Sequence, residues 1–460
     1  MKIIVKNLGP IREAKFDIDK RLSVFCGPNN TGKTYLSYIL YAFTRRRIYL
    51  PEEILTDRQV KAFMDSRLLE IKMDLNRVYK VMKERFYNIS HDLSTIFGIS
   101  DSMAATMFPD FKIDMDMGRE AYKRNLLAQS LDFTLNLNPN ITIQVSKRSG
   151  EDLLSVKNMS SKMLLEDRAE VKVQMMTAIY YYIIISPVLN SHFFPVERTS
   201  LYTYYKDILG TRNLLLDKIH QQGAEDPQTL NRLLSSSSQF PLVISQTLQA
   251  ASSMERQRHE NGYYSQLADE IERDVLHGEV SVGNEGDLRF VSEKSPKTVL
   301  PLQLSASMTK AVAGIVFYLR HNSDRGDMIF IDEPEVNCHP DVQILMTRIF
   351  ARMINAGLRL VISTHSDYII REINNLIMLS KAPVSMAETL TKWGYQKEMA
   401  IEYQDVGAYL FSYGKDNKVE VSPIEVTEAG FEVSSIDATI SQLNETSQAL
   451  YYELRYGQKG

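Results

Sequence analysis

Apolar and polar positions along the first fifty residues alternate in a way that predicts strand, turn, strand, strand, loop and helix. Ile3 and Val5 alternate with polar neighbours, Gly9-Pro10 supplies a turn, and Ala14, Phe16 and Ile18 alternate again. A short apolar run from Leu22 to Cys26 ends at Gly27, as a buried strand should. After Thr34, the residues Tyr35, Leu36, Ile39, Leu40 and Phe43 fall at helical period. From about 51 to 130 the pattern reads as helix. Leu68, Ile71, Leu75, Val78 and Met82 keep a 3–4 spacing for about two heptads, predicting one amphipathic helix of a bundle rather than a long coiled coil. Phe133, Leu135 and Leu137, then Asn138-Pro139-Asn140, then Ile141, Ile143 and Val145 predict a β-hairpin near 132–146. Helical text resumes to about 190, where Phe193-Phe194-Pro195 precedes the charged pair Glu197-Arg198. Residues 220–260 are polar, with a serine run from Ser235 to Ser238, and suggest a loop region.

The last third alternates strand and helix. Helices are expected over 304–319, 342–354, 368–379 and 436–454, and strands over 328–331, 360–362, 409–411 and 419–421. This order predicts an α/β fold with a largely parallel sheet and ligands at its carboxyl edge. No internal repeat is visible.

At 460 residues the chain is long enough for two or three lobes. Hydrophobic residues at 44% and charged residues at 24% exclude a largely disordered protein. The near balance of 53 basic and 57 acidic residues, net −4, argues against a wholesale nucleic-acid coat and leaves room for a local basic patch. Cys26 and Cys338 stand far apart with no CxxC pairing, which fits a reducing cytosol and no structural zinc. The opening MKIIVKNLGPI alternates like a strand and lacks the apolar core of a signal peptide. The uncharged stretch Val173 to Pro195 carries Gln174, Thr177, Asn190 and an internal Pro187, so a buried helix or helix-to-strand passage is expected there rather than a membrane span. A cytoplasmic protein follows.

Gly27-Pro28-Asn29-Asn30-Thr31-Gly32-Lys33-Thr34 fits G-x-x-x-x-G-K-[ST] at every fixed position, with an apolar strand before it and a helix after it. The glycines let backbone amides turn inward around phosphates, and the helix presents its positive end. Lys33 is placed to reach the β- and γ-phosphates of ATP, and the Thr34 hydroxyl to ligate Mg²⁺. Met328-Ile329-Phe330-Ile331-Asp332-Glu333 is a buried strand that delivers two acids to the same sheet edge. Asp332 can hold Mg²⁺ through its water shell, and Glu333 can polarise the attacking water. An Asp-Glu pair after apolar residues is common by chance. Its weight comes from the phosphate loop upstream and the Pro334-Glu335 that follows. Leu360-Val361-Ile362-Ser363-Thr364-His365 is another such strand, ending in a histidine able to meet the γ-phosphate and the water. Leu302-Gln303-Leu304-Ser305-Ala306-Ser307-Met308 opens a helix with Ser305 or Ser307 as its N-cap, either an ordinary cap or an anion-binding start offered to a neighbouring subunit.

This order of phosphate loop, serine-started helix, Asp-Glu strand and strand-His resembles the ABC-type ATPase head of SMC, Rad50, RecF and OLD-family proteins. The resemblance covers roughly residues 1–47 and 290–380, and its most specific run is Asp332, Glu333, Pro334, Glu335, His339 and Pro340. In that class the signature loop reads LSGGQ. Here it reads LSASM, which keeps Leu304 and Ser305 and loses both glycines. The loop 337–341 would meet a partner subunit, and no Q-loop glutamine is placed. The resemblance implies a head built from 1–50 and 290–460, a mixed sheet with an antiparallel lobe, and a mainly helical insertion at 51–289. It also implies an ATP hydrolase in which two heads sandwich ATP and Mg²⁺, as a homodimer or a higher oligomer such as a hexamer. Each head would offer Ser305 and Ser307 to the other's γ-phosphate.

The absence of a long coiled coil separates the chain from SMC and Rad50, and the patterning after Leu379 does not read as an appended Toprim nuclease. The pair Asp114-x-Asp116 imitates a Toprim DxD and reads as solvated surface without strand context. The layout resembles stand-alone ATPases of phage-defence systems, which answer a phage-encoded trigger and control a separately encoded effector such as a Toprim-type nuclease. A RecF-like DNA-binding repair clamp is the alternative, with Arg45-Arg46-Arg47 as phosphate contacts or simply a solvated helix end. A metabolic P-loop kinase fits less well with the signature-like helix and His365.

Overall fold

The computed structural model describes residues 1–45, 57–138, 141–160, 190–221, 240–414 and 416–456. The serine run 235–238, Arg46, Arg47, Pro139, Asn140 and most of the uncharged stretch 173–195 lie outside them. No helix among the described residues is long and apolar enough to cross a membrane.

A nine-stranded mixed sheet, with helices packed on it, organises the chain as an α/β fold. Across it the strands run Lys112–Met115, Lys2–Leu8, Ile11–Asp17, Val419–Ile424, Val406–Tyr413, Leu22–Cys26, Arg359–Thr364, Met328–Asp332 and Ser191–Phe194. The last five of these are mutually parallel. Every residue of Leu22–Cys26 and of Met328–Asp332 is buried, the expected state of parallel strands covered on both faces. The Lys33–Thr44 helix packs over the parallel strands. There Tyr38 and Tyr41 meet Phe193 edge-on, and Phe193 stacks on Phe330 at 5.7 Å between ring centroids. Rings of this size bring both buried area and a preferred geometry to the core.

Register decides what shares an edge. Cys26 is opposite Thr364, Ser363 is opposite Asp332, and Ile331 is opposite Phe194. The chain therefore leaves four adjacent strands at one level, after Cys26, Thr364, Asp332 and Phe194. This is the carboxyl edge where open α/β sheets bind ligands.

The described residues of the segment 51–289 form strands as well as helices. The segment lends the nine-stranded sheet both edge strands, Lys112–Met115 and Ser191–Phe194. It also builds a four-stranded antiparallel sheet in the order Leu68–Lys72, Leu153–Asn158, Ile141–Lys147, Leu131–Asn138. The helix expected from Leu68 begins only at Leu75, because the Asp74 side chain caps it by accepting from the Asn76 and Arg77 amides. Before that cap Arg67 turns the chain at φ +60°, and Leu69 and Ile71 point together into the core from a strand. Leu153–Asn158, expected as helix, is the partner of that strand. A second antiparallel sheet of Gly278–Val282, Leu288–Ser292 and Val299–Pro301 leads into the helix Ser307–His321.

Candidate functional site

Leu22–Cys26 carries the chain to Gly27 at the centre of the carboxyl edge. Gly27 sits at φ +140°, and a Cβ there would lie 2.3 Å from the Phe411 carbonyl oxygen, so no other residue fits. Asn30 at φ +63° and Gly32 at φ +86° complete a turn that aims backbone amides inward. Thr31 Oγ1 donates to the Pro28 carbonyl at 2.8 Å, and the Tyr413 hydroxyl donates to the Asn30 carbonyl at 3.2 Å, bracing the loop. Gly32 caps the Lys33–Thr44 helix without a side-chain acceptor, which leaves first-turn amides at the positive helix end for an anion. Lys33 is buried, and its Nζ donates to the Gly27 and Pro28 carbonyls at 3.0 and 2.8 Å. Burial lowers the pKa of this ammonium, while Glu333 and Asp332 oppose the shift.

Thr34 Oγ1 donates to Asp332 Oδ2 at 2.9 Å, and Ser363 Oγ donates to Asp332 Oδ1. One hydroxyl and one carboxylate, both hard oxygens, so face each other at the mouth of the loop. That donor set suits Mg²⁺, and the inward amides with Lys33 suit a triphosphate.

Glu333 occupies the left-handed region at φ +46°. For a non-glycine residue this costs about 1–3 kcal/mol and persists only where the surroundings enforce it. Its amide donates to the Ser363 carbonyl at 3.0 Å, and its carbonyl accepts from Arg198 Nη2 at 3.0 Å. Arg198 Nη1 also donates to the Asp332 carbonyl at 2.8 Å. The turn throws the Glu333 carboxylate toward His365, whose Nε2 lies 3.9 Å from Oε1. Burial, with Asp332 adding to it, raises the pKa of Glu333, against Lys33 and Arg198. Burial and Lys33 lower that of His365, which leaves the imidazole neutral at pH 7. Glu335 ties the two loops together: its Oε1 accepts from Thr364 Oγ1 at 2.9 Å and from the His365 amide at 2.7 Å. Burial raises the pKa of Glu335 as well.

Residues 27–34, Asp332, Glu333 and His365 thus converge on one edge. The signature positions behave differently. Neither serine is the N-cap, because Ala306 holds that place without a side-chain bond. Ser305 is buried, with its amide on the Leu302 carbonyl and its hydroxyl turned back to the Pro301 carbonyl at 3.3 Å, closing the 3-10 turn Leu302–Leu304. Ser307 is exposed at the first helical position. Among the described residues neither serine shares a hydrogen bond with the phosphate loop or the acids. Asp114 does lie on a strand, at the sheet's edge, where Lys83 holds both its carboxylate oxygens at 2.6 Å. Among the described residues no cluster of three or more His, Cys, Asp or Glu side chains is placed to hold a metal.

Arg198, Ser363 and Thr364 are the contributors that pattern reading passes over. The hydroxyl pair before His365 is a signal that could have found Ser363 and Thr364, whereas the pair Glu197-Arg198 gives no role by itself.

A phosphate loop, a hydroxyl–carboxylate pair and a second acid on the carboxyl edge of a mixed sheet are the arrangement of a P-loop ATPase domain. The chain belongs to the AAA ATPase domain family, whose profile matches residues 1–370. It is similar to the SMC head domain from Thermotoga maritima, at 10% identity over 92% of this chain and 98% of that one, with a TM-score of 0.33. It is also similar to the Smc head domain with an extended coiled coil bound to the C-terminal domain of ScpA, from Pyrococcus furiosus. There the identity is 10% over 97% and 98% of the two chains, and the TM-score 0.32. No curated protein matches the sequence.

Proposed function

We propose that the chain binds and hydrolyses ATP with Mg²⁺ in the cytoplasm, and that the resulting rearrangement controls a separately encoded effector in defence against phage. The observation that carries the catalytic part is the meeting of Lys33, Thr34, Asp332 and Glu333 at one strand-edge level. Lys33 exchanges its two loop carbonyls for the β- and γ-phosphates, while the loop amides cradle them. Thr34 and Asp332 would hold Mg²⁺, which supplies charge neutralisation when bound. Glu333 orients the attacking water and accepts its proton, and neutral His365 donates or accepts a hydrogen bond beside it. No covalent enzyme intermediate is needed.

The outer side of the γ-phosphate is covered in this reading by a second head, as a homodimer or within a larger ring such as a hexamer. The exposed start of the Ser307–His321 helix is its contact. The defence assignment draws on the resemblance in layout to the ATPase subunit, AriA, of the PARIS phage-defence system, whose partner effector is a Toprim-type nuclease and whose trigger comes from the phage. A RecF- or Rad50-like repair ATPase uses the same head, and Arg45 at the end of the Lys33–Thr44 helix gives it a first phosphate contact. Turnover measured with and without duplex DNA across a salt series separates the two: strong stimulation that collapses with salt favours the clamp. Phage challenge of cells carrying the gene with and without its neighbour tests effector control. Equal survival in both would refute it.

A further inference from the structure

Arg198 is 2% exposed, and its hydrogen bonds among the described residues all go to main-chain carbonyls. Nε donates to Ala311 at 3.1 Å, Nη1 to Pro195 at 3.2 Å and Asp332 at 2.8 Å, and Nη2 to Glu333 at 3.0 Å. A guanidinium withdrawn from water ordinarily takes a carboxylate partner. Here its planar fork instead joins three pieces of backbone: the end of the Ser191–Phe194 strand, the helix Ser307–His321, and the Asp332–Glu333 corner. Only a rigid multi-donor group can do this, since lysine offers one point of charge.

We propose that Arg198 is a positioning residue for ATP hydrolysis: it clamps the backbone of Glu333 in its left-handed turn and couples that turn to the Arg198–Gln221 helix. The coupling has further contacts. Tyr202, one turn along the same helix, lies against Gly314, where a Cβ would come within 2.4 Å of its ring. Gln303 Nε2 donates to the Thr203 carbonyl at 3.2 Å. The Arg198–Gln221 helix kinks at Tyr204, so it is a shift of its first part, 198–203, that is felt at once by Glu333 and by the Ser307–His321 helix. Because Glu333 carries the chemistry in the proposed reading, this part of the chain acquires a mechanical handle on turnover. The inference rests on Glu333 being the water-orienting carboxylate.

The test uses the full chain as R198A, R198K, E333Q and R198A/E333Q, with ATP affinity by calorimetry and turnover by single-turnover kinetics. R198A should lower kcat about 10- to 100-fold, the scale of an ångström-level misplacement. KM and the ATP Kd should stay within about threefold, the signature of an interaction felt only at the chemical step. R198K should fall between R198A and wild type. In the E333Q background R198A should cost less than about twofold, because the carboxylate it positions no longer acts. Wild-type kcat in R198A, loss of ATP affinity in step with kcat, or the same fold-loss in both backgrounds would each overturn the proposal. If R198A does not fold, R198K alone and combined with E333Q supplies the same readouts. Wild-type turnover in E333Q alone would instead overturn the reading of Glu333, and this inference with it.

Discussion

Replacing Glu333 by Gln isolates the chemical step more cleanly than any other single change. The side chains are nearly isosteric, and the contacts that shape the turn use the backbone: the Glu333 amide on the Ser363 carbonyl and the Glu333 carbonyl under Arg198. The φ of +46° should therefore survive, and only the basic oxygen is lost. A positioned general base contributes about 10²- to 10⁴-fold, or about 3–5 kcal/mol at the barrier. Removing a negative charge beside Lys33 should leave ATP binding equal or tighter, since Glu333 and Asp332 compete with phosphate for that ammonium. The pH dependence sharpens the test. The carboxyl of Glu333 sits above its ordinary 4.5, so protonation disables the base as pH falls through that raised value, and activity is full above it. The histidine sits below its ordinary 6.5 and stays neutral over the same upper range. Single-turnover hydrolysis followed from the acid side through to pH 9, with calorimetric ATP affinity at each end, should show an acid limb in the wild type. In the variant that limb should be gone and the plateau at least about a hundredfold lower. Turnover within about threefold of wild type, or an unchanged acid limb, would refute the assignment and shift suspicion to Glu335.

Lys33→Ala should abolish measurable ATP binding in calorimetry, because it removes the one cationic side chain of the 27–34 loop, and unchanged affinity would contradict the phosphate-loop reading. Gly27→Ala should lose both stability and nucleotide binding. A Cβ 2.3 Å from the Phe411 carbonyl has to push apart two hydrogen-bonded central strands, and a melt identical to wild type would contradict the loop geometry. Ser307→Glu, at the exposed helix start, should bind ATP yet turn over poorly, since it sets an acid against the neighbour's γ-phosphate. Mixed with Lys33→Ala under exchange conditions it should regain partial activity. One site of each mixed dimer then carries both defects and the other neither. A mixture that stays inactive although mixed oligomers form would end the shared-site reading.

Much of the nucleotide site is local in character, which is why it can be read along the chain. Residues 27–34 need glycine at positive φ, an apolar strand before and a helix after, and each requirement is written within a dozen positions. The strands that lead into Glu333 and His365 announce themselves by the apolar runs 328–331 and 360–362, because a parallel strand covered on both faces has little polar side to show. Other choices lay with distant partners. Leu68, Ile71 and Leu75 satisfy a helical period and Leu69, Ile71 and Met73 a strand period equally well. Pairing with Leu153–Asn158, far along the chain, settled the conflict in favour of a strand, with Asp74 starting the helix afterwards. The serine-led run 305–307 reads as a capped helix, yet the 3-10 turn before it claims the Ser305 hydroxyl and leaves the cap to Ala306. Arg198 is the clearest case of a role that no local pattern reveals. A guanidinium after a buried strand could serve any surface, and only folding brings it under carbonyls more than a hundred residues away. Short-range sterics and periodicity thus specify which segments can hold phosphate and acid. Long-range hydrogen bonding specifies how the acid's backbone is held.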